Sequence, residues 1–256
     1  MRRAAGYNRQ TDRYKRIGAV KDMSISENVK QVKENIAAAA IRCGRSSDEI
    51  KLVAATKMND ADRVREAIKA GVDICGENRV QELMDKNAVG AYEGCPLHFI
   101  GHLQKNKVKY IVGVAELIHS ADSLELIEVI NKRAAAPGIT QDILLEINIG
   151  KEAAKSGFAA GEVMNILPRM AEFPSVRVRG LMAIPPICTD KEENRPYFRT
   201  MKQLFVDIGA KKYDNVSMDY LSMGMSADYE VAVEEGANLV RVGTGIFGAR
   251  NYAPKE

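Results

Sequence analysis

The chain has 256 residues, of which 46% are hydrophobic and 28% charged, with a formal net charge of +3. That length and balance suit one large core, and an α/β barrel of this size is ordinarily a single domain. No run approaches the about 18 consecutive apolar residues of a membrane span, so a membrane partner is not expected.

Residues 1–22 carry seven basic residues (Arg2, Arg3, Arg9, Arg13, Lys15, Arg16, Lys21) against Asp12 and Asp22, a net of +5 that leaves −2 for the remainder. This segment lacks the apolar h-region of a secretory signal. It reads as a disordered extension or the product of an upstream start site rather than a transit peptide, with residues 23–256 forming the domain. No Lys/Arg block is interleaved with aromatics, so nucleic acid is not an expected partner.

The first element is a helix, with Ser26 as the expected N-cap. Its apolar positions Val29, Val32, Ile36, Ala39 and Ala40 fall at helical spacing, and Gly44 stops it. From Leu52 onward a short apolar run alternates with an amphipathic stretch. The expected strands are Leu52–Thr56, Asp73–Gly76, Leu97–Gly101, Leu117–Ser120, Ile143–Ile149, Val178–Ala183, Tyr220–Met223 and Leu239–Val242. Between them lie helical stripes: Val64, Ala67 and Ile68, ended by Gly71; Val80, Leu83 and Met84; and Phe198, Met201, Leu204, Phe205 and Ile208. Pro168 lies inside the stripe Val163, Ile166, Leu167, Met170, where an interior proline costs roughly 3 kcal/mol. A kink or two short helices are expected there. Eight such units imply a TIM (β/α)8 barrel, an α/β fold, with the extra N-terminal helix closing its bottom. A doubly wound sheet would carry a glycine-rich turn after its first strand, and here a lysine stands instead.

Cys43, Cys75, Cys95 and Cys188 show no C-x-x-C spacing and read as reduced thiols of a cytoplasmic protein. His98 and His102 are four apart, which suits zinc only on a helix. Leu97-His98-Phe99-Ile100 reads as a strand, on which the two would share a face without helical geometry, so no metal site is expected.

A barrel gathers its chemistry at the C-terminal strand ends. Lys57 closes the first run, where burial favours the neutral, nucleophilic amine. The alternative is a lysine that caps the strand and reaches to water. Ser222 through Asp228 follows the seventh strand and opens a short helix over Tyr229–Gly236. Gly243-Thr244-Gly245 follows the eighth. Serine hydroxyls, glycine turns and free N–H groups make an anion site, and the loops after strands seven and eight are where barrels most often hold phosphate. A phosphate there and a lysine on adjacent strand one point to a phosphorylated aldehyde, for which pyridoxal 5′-phosphate (PLP) fits. Arg241, two residues before the glycine turn on the same strand face, is then placed to face the pyridine nitrogen.

With Val53 through Lys57, Gly76 through Glu82, His98 through Lys107, Lys155-Ser156-Gly157, Arg179 through Pro185, Leu221 through Asp228, and Arg241 through Gly248 on the page, the chain resembles the YggS/PROSC-type pyridoxal phosphate homeostasis proteins. These are similar in fold to the barrel domain of alanine racemase. The resemblance spans roughly residues 25–252 and departs in the basic tail and at Thr56 and Met58, where serine and threonine are more usual. It implies that Lys57 carries the cofactor as an aldimine and that Ser226, Gly243 and Thr244 contact its phosphate. It further implies that Arg241 faces the ring nitrogen, Asn78 lies near the ring hydroxyl, and Lys155 sits at the pocket mouth. Ser222 joins the set as a strand-end hydroxyl. Residue-level alternatives stand beside these: Asn78 as a helix N-cap, Ser222 bonded to its own backbone, Lys155 as a solvated loop lysine.

Three readings follow: a PLP-binding homeostasis protein without turnover, a PLP-dependent amino-acid racemase, and a class I aldolase-like Schiff-base enzyme. An arginine at the ring nitrogen disfavours its protonation and handicaps carbanion chemistry. Alanine racemase adds a tyrosine base from a second domain, which is not expected here; Tyr252 is terminal and is not promoted to that role. The binding protein leads, with PLP and apo PLP-dependent enzymes as partners and a monomer as the expected state.

Overall fold

The computed structural model describes residues 23–152 and 156–248. Eight parallel strands close into a barrel in sequence order, β1 pairing with both β2 and β8. They are β1 Lys51–Ala55, β2 Ile74–Glu77, β3 Leu97–Phe99, β4 Leu117–Ala121, β5 Gln141–Ile147, β6 Val176–Ala183, β7 Val216–Met225 and β8 Leu239–Val242. The helices are α1 Ile25–Arg42, α2 Ala61–Lys69, α3 Val80–Ala88, α4 Leu124–Ala135, α5 Val163–Ile166, α6 Arg195–Gly209, α7 Tyr229–Glu234 and α8 Thr244–Phe247. The expected TIM barrel is the observed fold. The expected interruption at Pro168 is also present, as α5 gives way to a 3-10 turn over Leu167–Glu172. The basic tail lies outside the described residues.

Two expectations need correction. The N-cap of α1 is Ser24, not Ser26: Ser24 Oγ accepts the Glu27 N–H while Glu27 accepts the Ser24 N–H, a complete capping box. Nor does α1 close the barrel bottom. Its buried stripe of Ile25, Val29, Val32, Ile36, Ala39 and Ala40 runs its full length and packs against α7, α8 and α2. The helix after β8 has only four residues, too short to cover its sector of the sheet. Accordingly α1 fills that place in the outer ring, and Asn28 Nδ2 bonds the Ile246 carbonyl at 2.9 Å.

Alternation along the strands divides the core in two. Leu52 and Ala54, Ile143 and Leu145, and Val240 and Val242 face the helices. Val53, Ile74, Ile100, Leu117, Leu144, Met182 and Leu239 form a separate cluster inside the barrel. Two residues further along β4, β5, β7 and β8, on the same inward face, stand His119, Glu146, Ser222 and Arg241. The interior therefore changes from an apolar floor to a polar upper layer toward the C-terminal strand ends.

Candidate functional site

The strand ladder continues past β1, because the Thr56 N–H donates to the Gly76 carbonyl at 2.9 Å. Lys57 comes next and is half-buried rather than enclosed. With Ala55, Asn59, Gly243, Thr244 and Phe247 it lines a cleft of about 700 Å³. The register Ala54↔Val242 brings the ends of β1 and β8 side by side, which is why Lys57 and the glycine turn share one cleft.

On the other side of that turn, Ser226 Oγ accepts the N–H groups of Gly243 at 3.1 Å and Gly245 at 3.3 Å. The turn that carries Ser226 is braced by Asp228, buried at the start of α7. Asp228 Oδ1 accepts the Met225 N–H, and its Oδ2 accepts from Asn194 Nδ2, each at 2.7 Å. Accepting from both N–H groups, the Ser226 hydroxyl keeps its own proton to donate, and with exposed Thr244 it is the donor an anion would meet.

Arg241 and Ser222 lie deeper, in the polar layer. Arg241 Nη1 donates to Ser222 Oγ, and Nη2 donates to the Ala183 carbonyl at 3.0 Å. A guanidinium only donates, so Ser222 accepts from it, and the Ser222 hydroxyl also pairs with His119 Nδ1, 3.0 Å away. His119 Nε2 in turn pairs with His98 Nδ1, also at 3.0 Å, so one proton lies between each pair of atoms along this chain. Burial pushes Arg241 down to about 10, with Glu146 and Asp228 opposing the shift. Burial takes His98 to about 4 and, with His98 and Arg241 adding to it, holds His119 well below the ordinary imidazole range. Both imidazoles are neutral at pH 7, and Arg241 is the cation of this layer. Ser222 therefore does not bond its own backbone.

Asn78 does not cap a helix: the N-cap of α3 is Arg79. Asn78 is half-buried, and its Oδ1 is buried without a hydrogen-bond partner. Its backbone packs tightly under Gly101, where a Cβ would stand 2.7 Å from the Asn78 Cα. Lys155 and Tyr252 lie outside the described residues. His98 and His102 do not share a face. β3 ends at Phe99, and His102 is exposed at the barrel mouth, 3.3 Å from Asp122.

Lys57, Gly243 and Thr244 thus line one cleft, with Ser226 bonded behind its glycine turn, while Ser222 and Arg241 pair beneath the strand ends. Two groups of residues escaped sequence reasoning. One is the His98–His119 pair. The other is Glu77, which is fully buried and bonded to Lys86 Nζ at 2.7 Å. A signal for it existed: an acid closes a buried strand, and a lysine falls three residues after Leu83 in the stripe of α3. That stripe buries Leu83 and Lys86, whereas Met84, assigned to it from the sequence, is exposed.

The family model described as alanine racemase, N-terminal domain, matches residues 28–251. The pyridoxal phosphate homeostasis protein of Aquifex aeolicus (strain VF5) is 43% identical over 230 residues, covering 90% of this chain and 100% of that one. A protein of unknown function from Bifidobacterium adolescentis superposes with a TM-score of 0.81 at 36% identity, covering 87% of this chain and 94% of that chain. PipY of Synechococcus elongatus PCC7942, solved with PLP bound, superposes with a TM-score of 0.73 at 32% identity, covering 85% and 100%.

Proposed function

The chain belongs to the family of pyridoxal phosphate homeostasis proteins, whose barrel is that of the alanine racemase N-terminal domain, and from this premise we propose that it holds PLP on Lys57 and passes it on without turnover. The observation that carries the proposal is the pair of Gly243 and Gly245 N–H groups converging on Ser226 Oγ beside the cleft that Lys57 lines. The residues fit the group. The cradle offers donors for a phosphate, the partnerless Asn78 Oδ1 is an acceptor for a ring hydroxyl, and Arg241 presents only donors where a ring nitrogen needs no proton.

PLP supplies an aldehyde. The Lys57 amine adds to it and expels one water, and addition of water reverses the step, so the attachment is a tether. Ser226, Gly243 and Thr244 hold the phosphate, Asn78 the ring hydroxyl, and Arg241, fixed by Ser222 and Ala183, the ring nitrogen. Because Arg241 withholds a proton from the ring, amino-acid carbanions are poorly stabilised, which favours a carrier over a racemase. In this reading the protein acts as a cytoplasmic monomer and its recipients are apo PLP-dependent enzymes. Among the described residues no helix is long and apolar enough to cross a membrane.

The test is transfer. Protein loaded with PLP and freed of excess cofactor should activate an apo PLP-dependent enzyme, and in deuterated buffer should incorporate no deuterium at Cα of alanine, lysine or other amino acids. Deuterium uptake would instead establish a racemase-type enzyme. Ser226→Ala should weaken PLP binding about tenfold, the loss of one hydrogen bond to a charged group. The absorbance per bound PLP should stay unchanged, because the hydroxyl acts on the phosphate and not on the imine. A titration followed by absorbance checks both numbers.

A further inference from the structure

Lys57 sits between two residues tied to the same buried ammonium. Lys86, on α3, is 8% exposed and uses all three of its donors: Nζ reaches the Thr56 carbonyl at 2.8 Å, Glu77 Oε2 at 2.7 Å and Glu82 Oε2 at 3.2 Å. Glu82 Oε2 in turn accepts the Met58 N–H at 2.6 Å. Thr56, immediately before Lys57, is therefore held through its carbonyl. Met58, immediately after it, is held through Glu82.

Glu77 adds a second hold on Thr56. Its Oε2 accepts the Thr56 hydroxyl at 3.0 Å, and its Oε1 accepts the Asn78 N–H at 2.7 Å and the Arg79 N–H at 3.3 Å. Threonine at position 56 is thereby accommodated, its hydroxyl bonding Glu77 and the Gly76 carbonyl.

Two features mark this cluster as more than a strand-to-helix tie. Met58 adopts φ +61 without being glycine. Such a residue carries about 1 kcal/mol or more of strain and persists only where its surroundings over-determine it. A buried ion pair is also a poor source of stability, since an apolar pair of similar volume often does as well. What an apolar pair would not provide is a donor for the Thr56 carbonyl and an acceptor for the Met58 N–H, the two bonds that set the direction in which Lys57 leaves the sheet. Despite partial burial, the Met58 N–H and the Lys86 ammonium keep Glu82 below the usual carboxylate range.

We propose that Lys86, bridging Glu77 and Glu82, is a positioning residue for Lys57: it fixes the Thr56–Met58 turn so that the Lys57 amine is held toward the aldehyde of its ligand. This rests on the reading that the site takes PLP. The positioning concerns attachment at the aldehyde, and the phosphate cradle on β7 and β8 is independent of it.

The test compares PLP with pyridoxine 5′-phosphate, which has the same ring and phosphate but an alcohol in place of the aldehyde and cannot attach to an amine. In the full-length chain, Lys86→Met should weaken PLP binding at least about tenfold. It should slow hydride-trapped attachment at Lys57, followed by mass spectrometry, by a similar factor. Pyridoxine 5′-phosphate affinity should stay within about twofold of wild type. Should Lys86→Met fail to fold, Glu82→Gln at the solvent edge of the cluster keeps an acceptor but loses the ion pair, and should slow trapping severalfold with the same ligand split. Unchanged PLP affinity and trapping rate would overturn the positioning role, as would parallel weakening of both ligands, which would make Lys86 a prop of the fold. A wild-type chain that binds neither ligand would overturn the PLP reading and this role with it.

Discussion

Lys57→Ala abolishes the visible absorption band that the protein acquires when PLP is added, and no adduct at that position survives hydride reduction. Only an amine that attaches the aldehyde shifts the ligand's absorption, and Lys57 is the lysine that lines the cleft with Gly243 and Thr244. The phosphate donors on β7 and β8 remain in the variant, because the Ser226 contacts to Gly243 and Gly245 involve no atom of Lys57. Affinity should therefore fall by about two orders of magnitude or more, roughly 3 kcal/mol, and not vanish. Residual binding should still compete with inorganic phosphate. A band that persisted undiminished would sink the assignment, and Lys155 would be the first replacement to test.

Acidification from pH 6.5 toward pH 4.5 destabilises the fold steeply, before the bulk of the carboxylates protonate. His98 and His119 are neutral in the folded barrel and carry lowered pKa values, about 4 for His98 and well below the ordinary 6.5 for His119, both through burial. In the unfolded chain they take up protons from about pH 6.5 downward. The unfolded state then binds more protons, so stability is fully present above pH 6.5 and is lost as pH falls, at about 1.4 kcal/mol per pH unit for each histidine once below that value.

Glu146 works in the opposite sense. Burial and Asp122 raise its pKa against Arg241 and His102, so its protonation favours the folded state as pH falls. Glu82 and Asp219 are lowered, and their contributions are lost only below the unperturbed carboxylate range. The comparison that isolates the imidazoles is therefore wild type against His119→Asn, by urea midpoints at pH 7, 6 and 5. The variant is expected to be less stable at pH 7, because Ser222 and His98 each lose a partner. Its dependence on pH should be shallower by about 1.4 kcal/mol per unit. Parallel curves for the two proteins would mean that folding does not lower the His119 pKa.

Much of the fold was legible because its signals are local. Strands β1, β4, β5 and β8 emerge as apolar runs, α6 as a stripe at helical spacing, and the break at Pro168 as a missing N–H. The errors have physical causes. β7 starts at Val216, four residues before the expected Tyr220, because its first half is partly exposed and polar while its backbone pairs with β6. The stripe of α1 tells that the helix is buried but not against what, so its place in the outer ring rather than under the barrel is not legible in it.

The site divides in the same way. That Lys57, the Ser226 turn and the glycine turn end strands one, seven and eight could be read from order alone, since closure makes strands one and eight neighbours. The direction of a buried side chain could not. Ser222 could have bonded its own backbone, and only the inward alternation of β4, β7 and β8 shows it between Arg241 and His119. Glu77, Lys86 and Thr56 are separated by 9 to 30 residues, and no spacing rule brings a helix lysine under the carbonyl of another strand.

The sequence by itself determined the alternation of eight apolar runs with helices and the residues at the strand ends, because burial periodicity and turn chemistry act over a few residues. The tertiary structure alone decided which polar groups share protons and which turn is clamped. A buried ammonium or imidazole takes whichever partner the register and the packing bring within 3 Å or so, and those partners come from segments that the chain keeps far apart.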